Sequence, residues 1–348
     1  MATAADAPSD PCPTDRGLLG RARELASLRT ALAGQRLVAL TGPAGVGKSR
    51  LAAAAAAQTA GTRRCRVRGA DLGGLLDPEL FASTLGYLLD LPARGGGSEL
   101  SALARGLAAE PTLLLLDSCE RLLGRAAVAL EYLLDSCPEL VVLAVGRATP
   151  GSRYERVQRL DPLEEGPATA LLCARSRQFG APAFARGGQE HLDALPLCHL
   201  LDRNPLAIEL AAGRLTELSP RQLMAEVARP AGLLALGPVV LPPERAEACA
   251  GQLPERTLRQ AAEASHELCT DAERLLWARL SAVPVGFDLA EAQQACAGSD
   301  LAAHALERAW TGLVRGSVLV PYGAGAQRYR LPFLLRAHGR EQLRRLNR

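Results

Sequence analysis

Eight consecutive residues, Gly42-Pro43-Ala44-Gly45-Val46-Gly47-Lys48-Ser49, constrain what this chain can fold into more than any other feature. They match the phosphate-binding pattern G-x-x-x-x-G-K-[ST], which works only between a buried strand and the first turn of a helix. Leu37-Val38-Ala39-Leu40 is a short apolar run that predicts a buried parallel strand entering a tight turn at Thr41-Gly42. Ser49-Arg50-Leu51 leads into the alanine run Ala52–Ala57, the best helix-forming residue type. In that order of strand, loop and helix, backbone N–H groups surround the β-phosphate and Lys48 reaches the β- and γ-phosphates. The Ser49 hydroxyl ligates Mg²⁺. Gly42, Gly45 and Gly47 supply the positive dihedrals or close approach that a side chain would block. Pro43, Ala44, Val46 and Arg50 complete the expected nucleotide contacts, and the expected ligand is ATP or ADP with Mg²⁺.

A metal-holding acid should follow on a second buried strand, and Thr112-Leu113-Leu114-Leu115-Leu116-Asp117 supplies one. Asp117 is expected to bind Mg²⁺ directly or through water. Glu120, three residues on, is the nearest candidate to polarise an attacking water; it reads equally as a solvated glutamate at a helix start. A third apolar strand, Leu140-Val141-Val142-Leu143-Ala144-Val145, runs into Gly146-Arg147. Ligands of doubly wound sheets collect at such carboxyl ends, which makes Arg147 a candidate sensor of the γ-phosphate. Lys48, Asp117, Glu120 and Arg147 are thus the candidate catalytic residues.

Composition sharpens one point: arginine has replaced lysine everywhere except at Lys48, where a compact ammonium is needed. At 348 residues the chain exceeds what one hydrophobic core usually organises, and a hydrophobic fraction of 48% supports a folded chain. A net charge of +3 is too mild to imply nucleic-acid binding. The nine cysteines form no C-x-x-C pair and no zinc-type cluster, which favours reduced thiols. Met1–Pro13 has neither a basic start nor an apolar stretch, and no apolar run is long enough to span a bilayer. The expected compartment is the cytoplasm.

With these motifs placed, the chain resembles the NB-ARC-like nucleotide-binding region of bacterial STAND ATPases, especially antibiotic-regulatory proteins and large LuxR-type regulators. The likeness runs from about Leu18 to Leu343. Leu18-Leu19-Gly20-Arg21, followed by Arg23-Glu24-Leu25, is similar to the family's opening motif, which implies that Gly20 and Arg21 lie by the adenine and ribose. The usual acid after the arginine is Ala22 here. Leu113–Glu120 is similar to the family's strand, aspartate, asparagine, cysteine and glutamate run, with Ser118 in the asparagine place. Leu143–Arg147 resembles its sensor strand, with Val145-Gly146 for threonine-serine. Asn204-Pro205-Leu206-Ala207 resembles its Gly-Leu-Pro-Leu segment, with Arg203-Asn204 for Gly-Leu, which implies that Pro205 packs on adenine. Pro205 also suits the first turn of a helix. Leu206, Ile208 and Leu210 read as core.

Pro230, Gly232, Gly237, Pro238, Pro242 and Pro243 mark a linker. Beyond it, Leu258–Leu280 carries helical spacing and Ser317–Leu331 reads as a hairpin around Gly323-Ala324-Gly325. Helices followed by a small hairpin suggest a winged helix, and the resemblance implies that this module packs on nucleotide rather than on DNA. Arg328 and Arg330 are too few for a phosphate-tracking surface. Where NB-ARC proteins carry Met-His-Asp this chain has Leu331-Pro332-Phe333, and His338 further along reads as a surface histidine.

The expected fold is therefore an α/β P-loop NTPase, a parallel sheet flanked by helices, followed by an all-α lid and a winged-helix-like domain. The expected boundaries are a tail over 1–16, the nucleotide-binding domain over 17–160, the lid over 161–235, a linker over 236–252 and the last domain over 253–348. The Gly95-Gly96-Gly97-Ser98 stretch is expected to be a surface loop. The function implied is a signal-responsive ATP/Mg²⁺ switch with slow hydrolysis, acting in regulation, with transcription as its expected field, through a protein partner or self-assembly. Direct DNA binding and membrane association are not expected. A standalone turnover ATPase and a non-cycling nucleotide-bound scaffold are the alternatives. No 34-residue periodicity of tetratricopeptide repeats is present.

Overall fold

The computed structural model describes residues 18–75, 77–91, 98–121, 125–181, 193–229, 232–239, 257–323 and 327–348. The expected tail, the glycines 95–97, residues 240–252 of the linker and the hairpin tip at 324–325 lie outside the described residues. The described chain divides into two units. One comprises residues up to Leu40, Lys48–Gly146 and Pro150–Gln158, and the other Thr41–Gly47, Arg147–Thr149 and Arg159–Arg348.

The first unit is built on a five-stranded sheet: β1 Leu37–Thr41, β2 Arg66–Asp71, β3 Thr112–Asp117, β4 Leu140–Val145 and β5 Glu155–Arg159, in the order β2-β3-β4-β1-β5. Strands β1 and β4, β4 and β3, and β3 and β2 pair in parallel. The three central strands are the apolar runs, buried along nearly their whole length, as parallel strands covered on both faces must be. The edge strands are the polar ones: β2 is Arg-Val-Arg-Gly-Ala-Asp and β5 is Glu-Arg-Val-Gln-Arg, which discourages further strand pairing. Helices α1 Ala22–Gly34, α2 Lys48–Arg63, α3 Phe81–Leu88, α4 Glu99–Ala108 and α5 Arg125–Ser136 accompany the sheet. Leu103 and Leu107 of α4 and Leu130, Leu133 and Leu134 of α5 share a core with Leu114, Leu116 and Val142 of the strands. Helix α2 buries Leu51 together with Ala52, Ala54, Ala55 and Ala56, and the small alanines let it lie close against β2, β3 and β4.

The second unit is almost wholly helical: α6 Glu165–Phe179, α7 Ala194–Leu200, α8 Pro205–Arg214, α9 Pro220–Val227, α10 Leu258–Glu267, α11 Asp271–Leu280, α12 Leu289–Cys296, α13 Ala303–Arg315 and α14 Phe333–Leu346. The antiparallel strands β6 Val320–Pro321 and β7 Tyr329–Arg330 form the expected hairpin, and Phe287 bridges to Tyr329. The helical stretch read over Leu258–Leu280 is two helices, because the reciprocal cap of Thr270 and Glu273 starts α11 afresh. Ile208 and Leu210 lie in the core as expected, with Leu206 packed on it. Arg175 of α6 and Glu209 of α8 form a buried ion pair at 3.2 Å.

One expectation is corrected. His338 is not a surface residue; it is 1% exposed, with its ring 5.1 Å from that of His266 and 5.5 Å from Trp277. The cause is Gly339, where a Cβ would lie 2.9 Å from both Ser281 Cβ and Trp277 Cδ1, so its absence brings α14 down onto α11. Arg328 and Arg330 are both engaged, with Glu291 at 2.9 Å and Asp202 at 2.7 Å.

Candidate functional site

The Gly42–Ser49 loop leaves β1 at Thr41, whose carbonyl accepts from the Leu160 N–H at 2.7 Å. Gly42, Gly45 and Gly47 have φ of 152°, 78° and 95°, so each of the three motif glycines occupies backbone that other residues rarely adopt. At Gly47 the dihedral alone demands glycine, since a Cβ would meet nothing within 4 Å. At Gly45 a Cβ would also lie 2.7 Å from Asn204 Oδ1 and 2.9 Å from Leu206 Cβ.

Asn204 holds this loop, and sequence reasoning gave it no role. Its Nδ2 donates to the Ala44 carbonyl at 2.8 Å, and the Leu206 N–H donates to the Gly45 carbonyl at 3.2 Å. Its Oδ1 caps α8, accepting from the N–H groups of Leu206 and Ala207 at 3.0 and 3.4 Å. The signal was available: asparagine before proline is the pairing of a favoured cap with a favoured first helical residue. Pro205 is that first residue and is half-buried. Just before the cap, Asp202 and Arg203 both have φ of 54°. Arg203 thus takes the left-handed conformation in the place where the resembled segment has glycine.

Lys48 and Ser49 open α2, Lys48 half-buried and Ser49 and Arg50 exposed. No acid lies in that first turn, so nothing there opposes the attraction of the helix N-terminus for an anion. In the same unit Asp117 ends β3, accepting from the Ser118 N–H at 2.7 Å, and Ser118 turns the chain at φ 58°. Asp71, at the end of β2, stands in register beside Asp117 and accepts from the Gly73 N–H at 2.9 Å. Glu120 sits in the short 3₁₀ turn Cys119–Arg121. Burial pushes the Cys119 thiol well above its ordinary range, the Val145 backbone opposes the rise, and Glu120, Asp117 and Asp71 add to it. Asp71 was missed because its strand is polar.

These are hard oxygen donors of the kind Mg²⁺ takes. Among the described residues no group of three or more His, Cys, Asp and Glu is arranged to hold a metal by itself.

Arg147 follows β4, the strand that runs between β1 and β3. Its Nη1 donates to Ser265 Oγ of α10 at 2.7 Å, and its carbonyl accepts from Ser317 Oγ at 2.8 Å. In the first unit Gly20 turns at φ 74° ahead of Arg21, which is 5% exposed and pairs with Glu24 at 2.6 Å.

A sheet ordered in this way, with a Gly-rich loop from β1 into a helix opening on Lys-Ser, is the fold of a P-loop ATPase. A solved structure of that kind, the Walker-type ATPase PABY2304 of Pyrococcus abyssi, superposes with a TM-score of 0.55 at 16% identity over 95% of this chain and 98% of that one. No family model matches the chain. The "Uncharacterized protein Rv0894" of Mycobacterium tuberculosis is 33% identical over 330 residues, covering 93% of this chain and 81% of that protein. The chain belongs to the family of that protein. It is also 33% identical over 317 residues to the "Putative HTH-type transcriptional regulator Rv0890c" of Mycobacterium tuberculosis. That match covers 91% of this chain but 35% of the length of the regulator. Among the described residues no helix is long and apolar enough to cross a membrane.

Proposed function

We propose that the chain is an ATP-responsive switch of the STAND type, binding ATP or ADP with Mg²⁺ and passing its nucleotide state to a protein partner or to further copies of itself. The observation that carries this reading is the phosphate loop, where three glycines in their required conformations lead into Lys48 and Ser49 at the start of α2. Lys48 contacts the β- and γ-phosphates, and the Ser49 hydroxyl and Asp117 hold the metal. The metal supplies charge neutralisation at the phosphates when bound. Glu120 orients a water. Gly20, Arg21 and Pro205 flank the adenine and ribose, and Arg147 answers to the γ-phosphate. Hydrolysis on this reading is slow and resets the switch.

The reading includes a three-part organisation, a nucleotide domain over 17–160, a lid over 161–235 and a winged-helix-like domain over 253–348. The output is regulatory. What supports transcription as its field is the relative named as an HTH-type regulator, of which this chain matches 35%. Free cysteines, seven of them among the described residues, suit a reducing cytoplasm. Titration of the parent and of Lys48→Ala with ATP and Mg²⁺, paired with a turnover assay, tests the reading. Tight binding by the parent that Lys48→Ala loses, with turnover below the 1–10³ s⁻¹ typical of enzymes, is the result expected. Equal binding by both removes the loop from the function.

A further inference from the structure

We propose that Asn204 is a positioning residue for the phosphate loop, fixing from α8 the direction of the backbone N–H groups that meet a nucleotide's phosphates. The inference rests on the ATP reading above and adds to it the part that sets the shape of the loop.

In a planar trans peptide the C=O and N–H point in opposite directions. The Ala44 carbonyl is bound by Asn204 Nδ2 at 2.8 Å, so the N–H of the same peptide unit, that of Gly45, is turned away from α8. The Gly45 carbonyl is bound by the Leu206 N–H at 3.2 Å, which fixes the next peptide in the same sense, and the Val46 N–H closes the turn on Pro43 at 3.4 Å. A loop that cradles phosphate needs its N–H groups on one side and its carbonyls on the other. Asn204 holds two of the carbonyl positions on one side, one through its side chain and one through the helix turn it caps.

The side chain suits this task in a way few others would. It is 8% exposed, and its two ends do opposite jobs: Oδ1 accepts from the helix amides while Nδ2 donates to the loop. Rotating the amide would set an acceptor against a carbonyl and a donor against N–H groups, so only one orientation satisfies both. Aspartate and serine can both cap a helix, but aspartate offers no donor and serine is shorter by the atom that reaches Ala44. The fit is mutual, since a side chain at Gly45 would meet Asn204 Oδ1 at 2.7 Å.

The role differs from the adenine contact assigned to the neighbouring Pro205, and inorganic tripolyphosphate, which has phosphates and no adenine, separates the two. The experiment titrates the parent, Asn204→Ser and Pro205→Ala with ATP and with tripolyphosphate, each with Mg²⁺, and melts each protein without ligand. Asn204→Ser keeps a cap and is expected to melt within about 2 °C of the parent. It should bind both ATP and tripolyphosphate about tenfold more weakly, the size of one hydrogen bond's contribution. Pro205→Ala should weaken ATP alone. Parent-like binding of both probes by Asn204→Ser overturns the proposal, as does a loss confined to ATP. Should Asn204→Ser fail to fold, Asn204→Asp retains the cap and loses the donor, and tripolyphosphate binding equal to the parent's overturns the proposal equally. If the parent itself binds neither probe, the ATP reading fails.

Discussion

Arg147 donates to Ser265 Oγ at 2.7 Å, so the arginine proposed to answer to the γ-phosphate is tied to helix α10 through a hydroxyl that itself donates to the Ala261 carbonyl at 3.1 Å. If ATP draws Arg147 to its γ-phosphate, this bond is given up on ATP binding and kept on ADP binding. Ser265→Ala should then favour ATP over ADP relative to the parent, by up to about tenfold for one charge-assisted bond. Measuring both dissociation constants in parent and variant checks this. An unchanged ratio means that Arg147 does not move between the two partners.

Asp202 is expected to be a stability determinant of the second unit. It accepts from Arg330 Nη1 at 2.7 Å and from the Phe333 N–H at the first turn of α14, where a carboxylate also meets the positive end of the helix. Asp202→Ala removes both bonds and should cost about 2–3 kcal/mol, and Arg330→Ala, which removes one, should cost less. Denaturant unfolding of the two variants measures the order. Equal stability of Asp202→Ala and parent would show that the turn is held by its backbone bonds alone.

Acid should destabilise the protein through His338. Burial, then the facing His266, holds its imidazole down at about 4 from the usual 6.5, with Arg259 and Arg345 adding and Glu341 opposing. His266 is lowered as well, chiefly by burial and then by Arg274. A depressed folded value means that the unfolded chain takes up the proton first. This contribution is therefore intact above about 6.5 and lost as the pH falls toward about 4. Melting temperatures across that window should fall more steeply for the parent than for His338→Gln. Parallel curves would exclude His338 as the group responsible.

Asp117→Asn should separate metal from nucleotide. The amide keeps the shape at the end of β3 and loses the charge, so Mg²⁺-dependent turnover should fall by about tenfold or more while nucleotide binding in a chelator changes little. Identical Mg²⁺ titrations of parent and variant would remove Asp117 from the metal site.

What could be read in the sequence follows the burial of each element. Strands β1, β3 and β4 are covered on both faces and are uninterrupted apolar runs, so their place and their ends at Thr41, Asp117 and Val145 were legible. The edge strands β2 and β5 carry arginine and glutamate among few apolar residues, and with β2 went Asp71. Asn204 stood in the open as a cap before proline, but its second bond, to Ala44, joins residues far apart in the chain and leaves no local pattern. The left-handed Arg203 was hidden for the opposite reason, since the residue there is not the glycine that would announce it. His338 was misread because α14 looks polar from its arginines, while the close approach that buries the ring depends on the single missing side chain of Gly339.

Lys48 is the only lysine in the chain, which makes the phosphate loop open to a direct chemical measurement. An amine-acylating reagent can modify one side chain alone, and mass spectrometry follows its rate with the terminal amine as internal reference. With ATP and Mg²⁺ at ten times the dissociation constant, acylation of Lys48 should slow by about tenfold, because the ammonium is then covered by phosphate in all but a tenth of the molecules. AMP, which lacks the β- and γ-phosphates, should protect far less. An acylation rate at Lys48 unchanged by saturating ATP and Mg²⁺ would contradict the assignment of this loop as the nucleotide site.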